Sequence, residues 1–367
     1  MTASHATGRR LRLWYTRCPV PTGLGIAIHL GLLDQAFLGD PEAELVLLQS
    51  AADPGVLQAH FTHAEPNVFR QGGNYPAIWA RSNGADTRVI GLSYVRGPQT
   101  VLALPESGIR SAADLKGKRL LLQRRPHEPI DFVYATALRT YERALASAGL
   151  SLDDVTLVVQ EQSRGFIADS RSPLASQAGC AGTVAPAGRY TDLLFPLIRG
   201  EVDAIASGTI GSPTIQLEFL FGLRRVFDLF DLQDELLRAN NSTPLVLAVN
   251  GDLVERRPDL VERLLVAVLE AEDWAASNPL EALRLVAREQ TTAERFAGEA
   301  FASDLQRTLA LDFDPLKVAA LHAQHDYLDQ LGFLPRRFDV DAWLAPEPLA
   351  RARRTLRERT FAARSLP

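Results

Sequence analysis

The stretch LRLWYTRCPVPTGLGIAIHLGLLDQAFLGDPEAELVLLQ, residues 11–49, decides the fold class. Its first six residues, 11–16, are mostly apolar and aromatic and predict a strand, and residues 43–49 predict a second one. Residues 23–33, between them, predict a helix. Two strands joined through a helix form a βαβ unit, whose strands lie parallel in one sheet. The sequence therefore predicts an α/β protein.

The alternation of strands and helices continues to about residue 250, and the rest of the chain is predominantly helical. Residues 59–63 predict a short extended stretch, and a loop follows it to about residue 74. The chain has 367 residues, which suits two lobes of about 150 to 200 residues each and is too long for a single small module.

The composition is that of a folded globular protein, with 46% apolar and 23% charged residues. The formal net charge is −5 and the basic residues are scattered, apart from a tail at 351–364, so no nucleic-acid partner is expected. No apolar run reaches the roughly 18 residues of a membrane span, and the start of the chain has no export signal. We expect a cytoplasmic monomer without a membrane partner.

Three later phrases resemble the type II periplasmic-binding-protein fold, in its nitrate-, taurine- and sulfonate-binding branch. These are SAADLKGKRLLL (111–122), LIRGEVDAIAS (197–207) and TPLVLAVNGDLVERRPDLVERLLVAVLEAEDW (243–274). The resemblance implies two lobes, with the active site in the cleft between them at the carboxyl ends of the strands.

The same resemblance implies a discontinuous domain organisation. Lobe I is expected to comprise residues 1–97 and 245–367 and to carry the catalytic residues, whereas lobe II comprises residues 98–244 and covers the substrate. Residues 162–189 are rich in Gly, Ala and Ser and have no clear periodicity, which predicts a flexible loop within lobe II.

Cys18 follows the first strand and precedes the first helix. The unpaired N–H groups at a helix start stabilise a thiolate, so this position favours a lowered thiol pKa. The alternative is that Cys18 is a small buried residue without chemistry.

The segment AHFTHAEPNVFRQGG, residues 59–73, holds the second candidate cluster. If residues 59–63 are extended, His60 and His63 point to opposite faces, so one of them faces the cleft without the other. Arg70 provides a guanidinium beside a glycine-rich backbone, which suits an acidic group of a ligand. The alternatives are a hydrogen-bonded core histidine and a surface arginine.

A metal site is not expected. Cys18, His60 and His63 are the nearest thing to a ligand set, but the strand alternation separates the two histidines and no carboxylate lies at ligand spacing. We therefore predict no metal and no other cofactor.

Three phrases of the first lobe resemble the 2'-hydroxybiphenyl-2-sulfinate desulfinase family of dibenzothiophene desulfurisation: YTRCPVP (15–21), HFT (60–62) and FRQGG (69–73). The resemblance implies that Cys18, His60 and Arg70 are catalytic. Residues 123–131, QRRPHEPID, depart from the family pattern, and so does the loop at 162–189. Both regions cover the biaryl substrate in the family, so the aryl group accepted here stays open.

The resemblance implies a hydrolase that acts on a carbon–sulfur bond and releases sulfite from an aryl or related sulfinate, a small-molecule substrate. Arg70 would hold the sulfinate oxygens and His60 would hydrogen-bond Cys18. Cys18 would act either as a general acid toward carbon or as a nucleophile toward sulfur. Substrate contacts are predicted for Gly72, Gly73, Phe61 and Ser207.

Two other functions compete with this prediction. A solute-binding protein for a sulfonate-type anion has the same fold, but it needs only neutral donors rather than a cysteine–histidine–arginine set. Another lyase or a decarboxylase on the same scaffold would share the site and differ in substrate. Sulfite release from a panel of sulfinates separates the three.

Overall fold

The computed structural model describes residues 10–163, 187–207 and 211–364. In these residues the strands form two five-stranded sheets. The first sheet has the order β2-β1-β3-β10-β4. Its strands are β1 (Leu11–Tyr15), β2 (Ala43–Leu47), β3 (Val68–Gly73), β4 (Thr87–Ser93) and β10 (Leu245–Asn250).

The first sheet combines a parallel part with an antiparallel returning strand. β1 pairs in parallel with β2 and β3, as the βαβ pattern predicts. β10 returns from far along the chain and lies antiparallel between β3 and β4. Its residues Leu245, Leu247 and Val249 are fully buried, and this matches the apolar run in the sequence.

The second sheet has the order β7-β6-β8-β5-β9. β6 is parallel to β7 and β8, and β5 is antiparallel to β8 and β9. Its strands are β5 (Thr100–Ala103), β6 (Arg119–Arg124), β7 (Thr156–Glu161), β8 (Ala204–Ala206) and β9 (Arg224–Asp228). The predicted lobe boundaries, near residues 97 and 244, lie between the strands of the two sheets and stay a prediction.

Helices cover both sheets. Those before residue 230 are α1 (Gly23–His29), α2 (Leu32–Phe37), α3 (Pro54–Thr62), α4 (Asn74–Ser82), α5 (Phe132–Ser147), α6 (Ala187–Ile198) and α7 (Ser212–Phe221). Those after β10 are α8 (Gly251–Arg256), α9 (Pro258–Ser277), α10 (Pro279–Gln290), α11 (Glu294–Phe301), α12 (Leu305–Leu309), α13 (Pro315–Gln330) and α14 (Glu347–Arg364). Of the loop predicted at 162–189, residues 164–186 lie outside the described parts of the chain.

The main core holds α1 between the first sheet and α9. Leu24, Ile26 and Ala27 of α1 are buried in one cluster with Leu13 of β1 and much of α9. Burying a leucine or isoleucine side chain contributes about 1.5 to 3 kcal/mol. This packing fixes the turn between β1 and α1, where Cys18 lies.

Residues 59–62 form the last turn of α3 and His63 is its C-cap, so the predicted extended stretch is wrong. Asp53 caps the start of α3 by accepting a hydrogen bond from the Gly55 N–H, and Pro54 occupies the first helical position. Both are standard helix-start signals. His60 and His63 are three residues apart near the end of this helix, which places them on neighbouring turns of one side and not on opposite faces.

The segment FRQGG is a strand, so the predicted flexible loop is also wrong. All six residues of β3 are buried, and Gln71, Gly72 and Gly73 lie opposite Leu247, Val246 and Leu245 of β10. The rigid partner strand exists only because β10 returns from 170 residues away, and short-range sequence patterns do not report such a partner.

Candidate active site

Cys18 lies in the turn that connects β1 to α1. The turn is tight, because the Val20 N–H donates to the Cys18 carbonyl at 2.7 Å. The cysteine is partly exposed and carries a free thiol. A thiol at the carboxyl end of a central strand can reach a ligand bound at that edge of the sheet.

His60 of α3 is the nearest titratable neighbour of the thiol. Its Nε2 lies 3.9 Å from Cys18 Sγ, a hydrogen-bonding distance for sulfur. The imidazole is 6% exposed, and its Nδ1 has no hydrogen-bond partner among the described residues. The structure thus brings together the cysteine and histidine that the sequence singled out.

Arg70 of β3 is a buried cation. It is 2% exposed, and its Nη1 donates to the Gly73 carbonyl at 2.9 Å. Its Nε has no hydrogen-bond partner, and no carboxylate among the described residues forms an ion pair with it. An uncompensated buried charge is costly, so this guanidinium is arranged for an anionic ligand.

Gly72 separates the thiol from the guanidinium. A Cβ added at Gly72 would overlap Cys18 Sγ and would lie 3.3 Å from Arg70 Nη2. Sγ therefore sits directly over the Gly72 backbone, beside the arginine. This close approach requires glycine for reasons of space, and it explains why the residue two positions after Arg70 has no side chain.

We expect Gly72→Ala to lower the rate of any reaction that uses the thiol about 100-fold, because a displacement of about 1 Å at a reacting group has an effect of that size. Steady-state turnover measures it. Gly298→Ala is the matched control, since a Cβ at Gly298 of α11 meets nothing within 4 Å. Normal turnover of Gly72→Ala would show that the position of Sγ is unimportant.

The backbone amides of Gly72 and Gly73 point to different edges of β3. Alternate residues of a strand direct their N–H groups to opposite sides. The Phe69 carbonyl accepts from the Thr16 N–H on the β1 side, so the Gln71 and Gly73 amides point to that side as well. The Gly72 amide faces β10. Of the two predicted glycines, only Gly73 has an amide directed toward the side of β3 that β1 no longer covers, because β1 ends opposite Phe69.

The predicted substrate contacts Phe61 and Ser207 belong to different elements: Phe61 lies in α3, and Ser207 is the residue after β8. Phe61 is fully buried in an apolar cluster with Tyr75 and Ile78. Its ring is perpendicular to the imidazole of His60, and the two ring centroids are 5.1 Å apart. Ser207 follows β8 in the second sheet, where its hydroxyl accepts from the Thr100 N–H at 2.9 Å. Their assignment as substrate contacts stays a prediction.

Burial raises the pKa of the Cys18 thiol. The positive charge of Arg70 offsets part of this effect, and the negative charge of Glu289 adds to it. The expected lowering of the thiol pKa is therefore wrong in direction. Burial outweighs the influence of the helix start, which is also distant: α1 begins only at Gly23, and Thr22 already caps its Gly25 N–H. At neutral pH the thiol is protonated.

Burial also lowers the pKa of both neighbouring histidines. His60 is held well below its ordinary range by burial, by Arg70 and by His63. Burial, with a contribution from Arg70, lowers the pKa of His63 to about 3. Both imidazoles are thus neutral at neutral pH.

We expect acid to destabilise the fold below about pH 6.5, because an unfolded histidine takes up a proton there and buried His63 does not until about pH 3. Stability falls by about 1.4 kcal/mol per pH unit for each such histidine. In urea unfolding, His63→Gln should lose less stability than the unmodified protein between pH 6 and 5. His322→Gln, at an exposed position, should lose as much stability over this range as the unmodified protein. The assignment to His63 is contradicted if His63→Gln also loses as much as the unmodified protein.

The sequence analysis missed a buried ionic cluster beside the Cys18 turn. Arg17 forms an ion pair with Glu289 of α10, and His29 Nε2 lies 3.0 Å from the same carboxylate. Glu289 is 272 residues from Arg17 in the chain. No sequence signal singles out Glu289, because α10 also carries the charged residues Glu281, Arg284 and Arg288.

The described parts of the chain contain neither a cluster of metal ligands nor a membrane-spanning helix. Nowhere in them do three or more histidine, cysteine, aspartate or glutamate side chains gather as ligands for one metal ion. Within residues 10–163, 187–207 and 211–364, none of the helices is both long and apolar enough to cross a membrane.

Comparisons with known proteins show the family resemblance and the fold of the chain. A family model described as NMT1/THI5 like matches residues 74–170 and 185–282. The 2'-hydroxybiphenyl-2-sulfinate desulfinase of Rhodococcus erythropolis is 28% identical over 360 residues, which cover 91% of this chain and 92% of the relative. The desulfinase resemblance predicted from the sequence is confirmed.

Solved structures show the same relationship. The desulfurization enzyme DszB has a TM-score of 0.75 and 26% identity, covering 94% of this chain and 99% of its own. A cysteine-to-serine mutant of DszB in complex with biphenyl-2-sulfinic acid has a TM-score of 0.72 and 26% identity, covering 95% and 100%.

A more distant neighbour shows the fold alone. The periplasmic aliphatic sulphonate binding protein SsuA from Escherichia coli has a TM-score of 0.61 at 18% identity, covering 91% of each chain. The predicted two-lobed, type II periplasmic-binding-protein-like fold is confirmed by these neighbours.

Proposed function

The chain belongs to the NMT1/THI5-like family, and we propose that it is a sulfinate desulfinase, an enzyme that cleaves the carbon–sulfur bond of an aryl sulfinate and releases sulfite. The likeness to a named desulfinase over 91% of the chain supports the reaction class. The complex of the DszB mutant with biphenyl-2-sulfinic acid supports an aryl sulfinate as the substrate.

One observation carries the proposal: a buried guanidinium, which pairs with no carboxylate of the described residues, lies beside a free thiol. Arg70 Nη2 and Cys18 Sγ both border the position where a Gly72 side chain would be. A sulfinate that pairs with Arg70 brings its sulfur and the attached carbon to the thiol. The Gly73 amide, on the same edge, is a further donor for a sulfinate oxygen.

Cys18 acts as the general acid in this mechanism. The thiol proton adds to the ring carbon that bears sulfur, the electron pair of the carbon–sulfur bond returns to the ring, and sulfur leaves as sulfur dioxide. Water converts sulfur dioxide to hydrogen sulfite and a proton, and that proton restores the thiol. The sum is sulfinate plus water giving arene plus hydrogen sulfite. The raised thiol pKa supports this route over a nucleophilic thiolate.

His60 and Arg70 stabilise the thiolate that forms during the step. His60 Nε2 is within hydrogen-bonding distance of Sγ, and the charge of Arg70 favours the ionised form of Cys18. Because His60 is neutral at neutral pH, it can present either an N–H or a lone pair to sulfur. No step requires a cofactor.

The pH dependence of kcat distinguishes the two roles of Cys18. We expect kcat to be constant from about pH 6 to 8 and to fall at alkaline pH as the thiol loses its proton, because the pKa of Cys18 is raised above its ordinary value of about 8.5. Single-turnover sulfite release measures this. A rate that rises with pH across the same range would instead indicate the nucleophilic thiolate.

We further propose a division of labour between the lobes, an oligomeric state and a location for the protein. Lobe I (1–97 and 245–367) carries the reacting groups and lobe II (98–244) covers the aryl part of the substrate. The protein works as a cytoplasmic monomer. Size-exclusion chromatography with light scattering and cell fractionation test these two statements directly.

Sulfite release from a panel of aryl sulfinates, beginning with biphenyl-2-sulfinate, tests the function. The protein is first dialysed against EDTA, and we expect stoichiometric sulfite and arene. The corresponding sulfonates serve as controls that bind without reacting. Tight binding of sulfinates or sulfonates without turnover would favour the solute-binding alternative, and turnover of a different acid would favour another lyase or decarboxylase.

A further inference from the structure

The residue before Cys18 is anchored by its side chain in the protein interior. The guanidinium of Arg17 is 3% exposed and pairs with Glu289, whose side chain is 5% exposed. Arg17 Nε donates to Glu289 Oε1 at 3.2 Å, and Arg17 Nη2 also contacts Glu289 Oε2. His29 of α1 lies 3.0 Å from that second oxygen. The carboxylate therefore joins the Cys18 turn to the helix that follows it.

The main chain of Arg17 is held as well. Its N–H donates to Gln49 Oε1 at 3.3 Å, and its carbonyl accepts from Gln49 Nε2 at 2.7 Å. Arg17 is thus fixed at both its backbone and its side chain, and it has little freedom to move. Cys18, one residue further on, inherits this constraint.

The next residue of α10 reaches the other side of the cysteine. Gln290 Nε2 lies 3.5 Å from the carbonyl of Pro19, a long contact, and Gln290 Oε1 accepts from the Ser212 hydroxyl at 2.5 Å. Ser212 is fully buried and begins α7, the helix that follows β8 of the second sheet. Consecutive residues of α10 therefore contact both neighbours of Cys18, and one of them also contacts α7.

A buried ion pair of this kind is a poor source of stability. Removing two charges from water costs several kcal/mol per ion, and apolar replacements are often as stable. What such a pair does supply is a defined position for the groups attached to it. Position matters here, because Sγ must stay over Gly72 and near His60.

We propose that Glu289 and Gln290 are positioning residues for the thiol: they hold Arg17 and Pro19, the two residues that flank Cys18, and they link this turn to Ser212 at the start of α7. This inference rests on the proposed desulfinase function. We call the two residues the α10 clamp. The clamp keeps Sγ in place for proton transfer and couples its position to that of the start of α7.

Gln290→Ala is the first test, with Gln324→Ala as the matched control. Gln324 of α13 is also buried and accepts from the Tyr75 hydroxyl at 2.9 Å, away from the turn. We expect kcat to fall about 10-fold for Gln290→Ala, with KM changed less than threefold, because Arg70 stays in place. Gln324→Ala should keep kcat within about twofold. Equal kcat losses in the two variants would overturn the role of Gln290.

The ionic half of the clamp needs a pair of substitutions, since Glu289→Gln alone leaves Arg17 buried without its carboxylate. The double variant Arg17→Met/Glu289→Gln removes both charges and should remain folded by circular dichroism. We expect its kcat to fall 10- to 100-fold. Its melting temperature should still rise when biphenyl-2-sulfonate binds, which shows an intact Arg70 pocket. Unchanged kcat in this folded variant would overturn the role of Glu289.

A cycle with Ser212→Ala tests the link to α7. If Gln290 transmits the effect, Ser212→Ala should lower kcat by itself and cause no further loss in the Gln290→Ala background. Additive losses would show that the two residues act independently.

Alkylation of Cys18 by iodoacetamide, followed by mass spectrometry of its peptide, separates this inference from the proposed function. We expect faster alkylation in both clamp variants and an unchanged rate in Gln324→Ala, whatever reaction the protein catalyses. If the unmodified protein releases no sulfite but these rates differ as expected, the desulfinase function fails and the clamp stands. If it releases sulfite and the clamp variants match it in kcat and alkylation, only the clamp fails.

Discussion

Cys18→Ser is expected to lower sulfite release about a thousandfold or more, while the sulfinate still binds. Serine is close in size and can accept the hydrogen bond from His60, but its hydroxyl is a far weaker acid than a thiol and cannot protonate the ring carbon at a useful rate. Single-turnover sulfite release and calorimetry with biphenyl-2-sulfinate measure the two properties separately. The affinity should stay within about threefold, because Arg70 is unchanged.

The other cysteine of the chain provides the control for this substitution. Cys180→Ser should retain turnover within about twofold, since the proposed reaction uses only Cys18. If Cys18→Ser turns over at a near-normal rate, the cysteine is structural and both mechanistic roles considered for it are wrong.

Arg70→Lys is expected to weaken sulfinate binding about 100-fold. A guanidinium presents parallel N–H donors to two oxygens of an acid group, whereas an ammonium is a single point charge and cannot reproduce that geometry. The environment increases the effect, because Arg70 is 2% exposed and water cannot substitute for the missing donors. Calorimetric titration with a sulfinate in the Cys18→Ser background measures the affinity without turnover.

Arg119→Lys is the matched control for the arginine. Arg119 is also on a strand and pairs with Asp203 at 2.8 Å, but in a partly exposed position of the second sheet. Its replacement should leave sulfinate affinity unchanged.

The stability of Arg70→Met provides a second readout. This variant removes an uncompensated buried charge, so it should unfold at no lower a urea concentration than the unmodified protein. It should bind no sulfinate. Tight sulfinate binding by Arg70→Lys would contradict the assigned role.

Local patterns were sufficient for much of the fold. The strand at Leu11–Tyr15, the helix from Gly23 and the apolar strand at Leu245–Asn250 were all predictable, because each is an uninterrupted run with its own periodicity or apolar character. The predicted extended stretch at residues 59–63 is wrong, because alternation over only five residues is a weak signal. The helix-start pair Asp53–Pro54, six residues earlier, was the stronger signal.

The sequence by itself determined the α/β class, the position of Cys18 after a central strand, and, through the phrases around Cys18, His60 and Arg70, the desulfinase resemblance. These depend on residue identity and short-range order. The contacts among these residues were decided only by the tertiary structure, since Cys18 and His60 are 42 residues apart and meet because β1 and α3 pack together. Likewise, β10 turned a glycine-rich segment into a rigid strand. The direction of the thiol pKa also followed from burial and from Glu289, distant in the chain, because desolvation and charge act through space and not along the sequence.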